Sequence, residues 1–230
     1  MNDEDTLLKV DRSARTLREL ALEKLREAIL GLRFQPGDRL VERDLCDQLG
    51  VSRSIVREVL RHLEAEGLVE NLPYRGPIVV RPTPEQAKEI YEIRAMLEAL
   101  AARTCAETAP REIAAKLQAA MGQIEQAYAQ KAPTAVLAAT HDFYKILFQG
   151  SGKSVAWTIV NSLNARITHL RAMTISTAGR SDEGPAEMRR IVEAIGRGDG
   201  AAAAQACLDH VGHASAIAQG LLSKDQQPRS

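Results

Sequence analysis

Residues 50–70 read GVSRSIVREVLRHLEAEGLVE. Arg53, Arg57 and Arg61 stand four apart between two glycines, a spacing that puts three guanidiniums on one helix face. At about 1.5 Å rise per residue the stripe is about 12 Å long. Ser52 offers a hydroxyl to cap the helix at its start. Gly50, which has no Cβ, suits the left-handed turn that ends the helix before it. Such a line of positive charge suits an anion that is itself a rod.

Working outward, residues 16–32, TLRELALEKLREAILGL, place Leu17, Leu20, Ala21, Leu25, Ala28, Ile29 and Leu32 at helical spacing. RFQPGDRL then breaks that helix at Pro36-Gly37 and becomes a short extended piece, and residues 42–49 read as a second helix. After Gly67, LVENLPYRGPIVV has apolar stretches at about 68–72 and 77–81 around Pro73, Tyr74, Arg75 and Gly76, the pattern of a β-hairpin. Helix, helix, turn, helix, hairpin is the order of a winged helix-turn-helix. Pro82 and Pro84 interrupt the chain, and the rest is helical in period, with helices expected at about 84–108, 111–130, 134–149, 153–177, 184–197 and 199–222. The expected organisation is a flexible arm (1–15), a winged helix-turn-helix (16–82), an all-helical domain (83–223) and a disordered tail (224–230). The fold class is mainly α.

Composition agrees. The 230 residues suffice for two modest domains, and only 3% are aromatic, so Ala- and Leu-rich helices must build the core. No apolar run reaches about 18 residues and MNDEDTLLKVDRSARTL lacks a signal-peptide core, so the reading is a soluble, cytoplasmic protein without a membrane partner. Cys46, Cys105 and Cys207 are odd in number and far apart, which points to small core residues rather than disulfides or a metal cluster. Formal net charge is zero, so charge must be read locally. Residues 12–82 carry thirteen Lys/Arg against eleven Asp/Glu, a difference of +2, whereas 51–62 carry three Arg against one Glu. The positive charge is concentrated on one helix rather than spread over a basic surface.

A helix in a major groove meets base edges near its N-terminus and bridges to phosphates one turn later. Arg53 and Arg57 occupy those turns, and Ser52 and Ser54 are placed to donate to phosphate oxygens at the positive end of the helix dipole. Arg43, at the start of the preceding helix, is near the flanking backbone. Arg75 and Gly76 at the hairpin tip suit a minor groove, where glycine permits close approach and arginine meets negative potential. The alternative is a solvated face, with the arginines paired to Glu58 and Glu64.

In the helical part, EQAKEIYEIRAMLEALAARTCAE sets Arg94 on the apolar line of Ile90, Leu97 and Ala101. A guanidinium against a core needs a partner. Glu98 is one candidate, and a ligand carboxylate held by two hydrogen bonds is the other. Thr140 and Tyr144 lie with Val136, Phe143 and Leu147; Met188 heads a face with Ile191, Val192 and Ile195; His210 lies near another apolar line. Several polar positions on apolar faces hint at a cavity.

ERDLCDQLGVSRSIVREVLRHLEAEGLVENLPYRGPIVV resembles the N-terminal winged helix of GntR-family bacterial transcription regulators over roughly residues 16–81. The resemblance implies that Arg43, Arg53, Arg57 and Gly76 contact operator DNA; Arg61 does not match such a position. EIRAMLEALAA, HDFYKILFQGSGKSV and EMRRIVEAIGRGDGAAAAQACLDHV are similar to segments of the FCD ligand-binding domain of the FadR subgroup, over about 84–222. Many such domains hold a divalent metal with an Asp and three His beside an organic acid. Here those positions read Thr140, Tyr144, Met188 and His210, a poor donor set, so no metal or other cofactor is expected. His141 and Asp142 are rotated about 100° per residue off the matched face. The resemblance implies a homodimeric regulator, a repressor in the commoner mode, that binds a pseudo-palindromic double-stranded operator and senses a small carboxylic acid with Arg94 as anion clamp and Thr140, Tyr144, Met188 and His210 around it.

Two rivals remain. One is a DNA-binding dimer with no effector. The other is an enzyme: His141-Asp142 is a fragment of an HD phosphohydrolase site, but the only upstream histidine, His62, sits in the reading helix, and there is no P-loop, nucleophile elbow or dinucleotide fingerprint. The chain is therefore expected not to be an enzyme.

Overall fold

The computed structural model describes residues 15–108 and 110–225. It contains α1 (Leu17–Leu30), α2 (Glu42–Leu49), α3 (Arg53–Ala65), β1 (Val69–Leu72), β2 (Gly76–Val79), α4 (Pro84–Thr108), α5 (Pro110–Ala129), α6 (Pro133–Ser151), α7 (Ser154–Ser162), α8 (Asn164–Thr174), α9 (Arg180–Gly196) and α10 (Gly200–Asp225). The expected arm lies outside the described residues except for Arg15. Of the expected tail, residues 224 and 225 prolong α10 and the rest lies outside the described residues.

Local chemistry sets the boundaries of the N-terminal unit. Thr16 and Glu19 form a reciprocal capping box on α1, each side chain taking a backbone N–H of the other residue, at 3.2 and 2.9 Å. Ser52 caps α3 by accepting from the Ile55 N–H, and Gly50 closes α2 at φ +65°. The strands pair antiparallel with Val69 opposite Val79 and Leu72 opposite Gly76, and Arg39 adds a single bridge to Ile78, so the extended piece after α1 edges the wing. On α3, Val56, Val59, Leu60 and Leu63 are buried while Arg53, Arg57 and Arg61 are exposed. Burying each such aliphatic side chain contributes roughly 1.5–3 kcal/mol. That apolar side, packed on Leu25 and Ile29 of α1, holds the arginine side outward.

The helical unit is built on the α4 and α10 pair, where buried Ala101, Ala102, Ala203 and Ala204 let two long helices approach closely. Helices α5, α6 and α9 complete the core around Leu117, Met121, Phe143, Leu147 and Ile191. Cys105 and Cys207 are free and buried; burial pushes the Cys105 thiol up to about 12 and Cys207 well above its ordinary value, so both are inert. Cys46 is also a free thiol, and it is half-buried.

Two helix boundaries differ from those expected. The segment 153–177 is two helices, because the Leu163 N–H turns back to Val160 O at 3.1 Å in a tight turn. Asn164 then starts α8 with its Oδ1 3.1 Å from His141 Nδ1 and 3.5 Å from Thr168 Oγ1, a contact across the fold that periodicity cannot show. Helix α9 starts at Arg180 rather than at 184, because Gly179 turns the chain at φ +83° and Pro185 sits inside the helix. The two units meet through α8. Its Ala165 packs against the N-terminal core, Arg166 lies against Gly67, and Ala172 shares a small cluster with Val136, Leu137 and Leu32.

Candidate functional site

The first candidate surface is the exposed edge of α3 with the wing. Arg43, Arg53 and Arg75 are exposed, and their side chains have no ion pair or hydrogen bond with any described residue. Ser52 and Ser54 hydroxyls lie 2.9 Å apart at the start of α3. Arg57, expected to face DNA, is exposed but paired, and not along its own helix as the alternative had it: its Nε donates to both carboxylate oxygens of Glu42 on α2, at 2.9 and 3.0 Å. Glu42 therefore holds Arg57 along the α2–α3 edge. Arg61 reaches back to Arg57 O at 3.4 Å. At the wing tip Gly76 has φ +77° and fully exposed Tyr74 has φ +65°, so the tip is a tight projection carrying Arg75. Unpaired guanidiniums at the start of a projecting helix and on its wing can contact phosphates and base edges.

The second is an internal cavity of about 30 Å³ in the helical unit, lined among others by Arg94, Arg171, Arg180, Thr140, Met188 and His210. Arg94 is 2% exposed and Glu98 1%. Its Nε donates to Glu98 Oε1 at 2.5 Å, and its Nη2 to Glu98 Oε2 at 3.4 Å and to the Tyr144 hydroxyl at 2.9 Å. Burial, the largest single influence, lowers the Arg94 pKa, but the charge and hydrogen bond of Glu98 together with Tyr144 and Tyr91 outweigh it, and the guanidinium stays above its ordinary value. Thus the internal partner, one of the two foreseen for Arg94, is present. Arg180 donates from Nη1 to Glu187 Oε2 at 2.7 Å, and His210 Nδ1 meets the same oxygen at 2.8 Å. Burial raises Glu187, yet hydrogen bonds from His210, His213 and Arg180 bring it down to about 2. Burial also brings His210 down to about 4. A neutral imidazole facing a carboxylate carries its proton on Nδ1, which leaves the lone pair on Nε2. His210 Nε2 has no partner among the described residues.

Arg171 is the exception among the three arginines. Its guanidinium has no carboxylate or hydrogen-bond partner among the described residues, and its contact is the Tyr144 ring, 5.5 Å from Cζ. Burial, then repulsion from Arg94, lowers it to about 10, still charged at neutral pH.

Residues 17–79 match the family "Bacterial regulatory proteins, gntR family", and residues 89–213 match the "FCD domain". The chain belongs to the GntR family. Among similar proteins, the uncharacterized HTH-type transcriptional regulator YdhC of Bacillus subtilis is 29% identical over 83% of this chain and 85% of its own. The HTH-type transcriptional repressor RspR of Escherichia coli is 25% identical over 81% and 82%. A structure described as a transcriptional regulator GntR from Rhodococcus sp. RHA1 superposes with TM-score 0.75 at 25% identity, covering 88% of this chain and 97% of that one. As a GntR regulator with an FCD domain the chain is a DNA-binding transcription regulator. FCD domains bind small-molecule effectors.

The FCD metal positions do not suit a divalent ion in this GntR chain. The Thr140 hydroxyl donates to Val136 O at 2.7 Å, the Tyr144 phenol is held by Arg94, Met188 offers a thioether, and only His210 has a free nitrogen. Of the five expected effector residues, Arg94, Thr140, Met188 and His210 line the cavity; Tyr144 does not, and instead supports Arg94 and Arg171 from behind. His141 and Asp142 are elsewhere: His141 is held by Asn164 with Trp157 beside it, and Asp142 is exposed on a shallow groove between α5 and α6. Tyr91, Tyr128, Arg171, Thr174 and Arg180 line the cavity without having been foreseen. Arg180 lay outside the expected helix 184–197, and Arg171 lay within the expected helix 153–177, whose break at Leu163 the periodicity did not show.

Proposed function

We propose that this GntR regulator binds a pseudo-palindromic operator as a homodimer in the bacterial cytoplasm and represses until a small carboxylic acid, taken up without a resident metal, occupies the FCD cavity. The reading is carried by one observation: an arginine without a carboxylate partner in each unit, Arg53 on the outer face of the N-terminal unit and Arg171 in the cavity of the helical unit. Two-fold symmetry would set the reading helices about one DNA turn apart. An exposed apolar line on α4, Ile93, Met96 and Leu100, beside Val155 and Ile159 on α7, supports a second copy as its cover. A relative named as a repressor supports the sign, and the donor set at the family metal positions supports a metal-free cavity. Catalysis is not part of this reading, since His62 is a surface residue 3.3 Å from Glu66 in the other unit, away from His141.

The small cavity favours a second reading in which the FCD unit only dimerises; the unmatched charge of Arg171 weighs against it. The test is selection of duplexes from a random pool, followed by anisotropy titration and light scattering. Arg53→Ala with Arg57→Ala should abolish sequence-specific affinity and leave the dimer mass unchanged. Retained specificity would overturn the assignment, and a monomeric wild-type chain would remove the two-fold operator.

A further inference from the structure

We propose that Arg171 is the residue that binds the effector's anionic group, and that the effector is a short-chain monocarboxylate. The inference rests on the effector-binding reading above and narrows it. Three guanidiniums line one cavity, and two have their own carboxylates: Arg94 has Glu98 and Arg180 has Glu187. Arg171 has none. The balance is one unmatched positive charge, so a monoanion neutralises the site. A dianion would carry a second charge that only an already paired arginine could meet.

The surroundings fix the rest of the ligand. Thr140 and Thr174 hydroxyls donate to Val136 O at 2.7 Å and to Arg171 O at 3.1 Å, so each has only lone pairs left for a ligand. With the His210 Nε2 lone pair they supply acceptors, which suit a hydroxyl on the acid rather than a second carboxylate. Ile124, Ile175 and Met188 supply an apolar wall. A cavity of about 30 Å³ holds only roughly one or two water-sized groups, so an acid with a short stem is the one it can admit, and binding must widen the cavity around that stem. The state of Arg171 supports the same assignment: a part-buried guanidinium brought down to about 10 gains most from an anion that replaces its lost hydration.

The experiment is thermal melting and calorimetric titration of the full-length protein with acetate, lactate, succinate, inorganic phosphate and glucose at matched ionic strength. Lactate or acetate should raise the melting temperature saturably and succinate should not. Arg171→Met should weaken that binding about 10- to 100-fold, while raising the melting temperature of the ligand-free chain because an unmatched, part-buried charge is gone. Arg171→Lys should retain part of the response. Preference for succinate or phosphate, unchanged lactate affinity in Arg171→Met, or a lower ligand-free melting temperature in that variant would overturn the proposal. Binding of glucose alone would sink it while sparing the effector reading, and release of selected DNA by none of the probes, together with no co-purified small molecule by native mass spectrometry, would sink both.

Discussion

Arg94 and Glu98 form an ion pair closed to solvent, so each is costly without the other. Glu98→Ala leaves a guanidinium at 2% exposure with only a phenol for company, and the expected loss of stability is about 3–5 kcal/mol by urea unfolding. His169 shows the same physics on a neutral group. It is buried, its Nε2 has no partner, and burial brings its pKa from 6.5 down to about 4. The unfolded chain takes up a proton between those values and the folded chain does not. Stability from neutral His169 is therefore complete above about pH 6.5 and lost as pH falls towards 4, by up to roughly 3 kcal/mol. Comparing urea midpoints at about pH 7 and about pH 5, His169→Leu should lose roughly 2 kcal/mol less than the wild type. What remains of the acid sensitivity belongs to His210, whose depressed pKa has the same sign. At this scale the sequence was informative where one face of one helix carried the message. Arg94 and Glu98, four apart on an apolar line, were legible as a pair; the pairing of Arg57 with Glu42, fifteen positions away on another helix, was not.

Elements follow the same division. The stretch from Arg53 to Gly76 could be read almost residue by residue because caps, glycines and alternating apolar strands are local signals. The break at Leu163 could not, since no glycine or proline marks it and Asn164 is fixed by His141 on α6. The glycine after α3 has a role beyond its own turn. Gly67 has φ +72°, and a Cβ there would lie 2.1 Å from Arg166 Nε. Gly67→Ala should cost about 1–2 kcal/mol for the left-handed backbone, with a further penalty for displacing Arg166. In a double-mutant cycle read by urea unfolding, Arg166→Ala should relieve the second part and leave the first.

For the whole molecule, α8 is the element shared by both units. One end carries Ala165 and Arg166 against the DNA-reading unit, and the other carries Arg171 on the cavity. An effector bound at Arg171 can act on DNA only through a difference in affinity between two placements of that helix. Arg166→Ala should therefore leave lactate affinity and ligand-free DNA affinity near wild type while reducing the change in DNA affinity that lactate causes, measured by anisotropy with and without the acid. No helix among the described residues is long and apolar enough to cross a membrane.

Arg171 stands five positions after Arg166, about 7.5 Å along the axis. A rod that short does not bend appreciably, so rotation at one end arrives undiminished at the other. On the proposed reading the pace of DNA release belongs to the entry of the acid, and stopped-flow release of DNA should accelerate in proportion to acid concentration with no slower phase behind it.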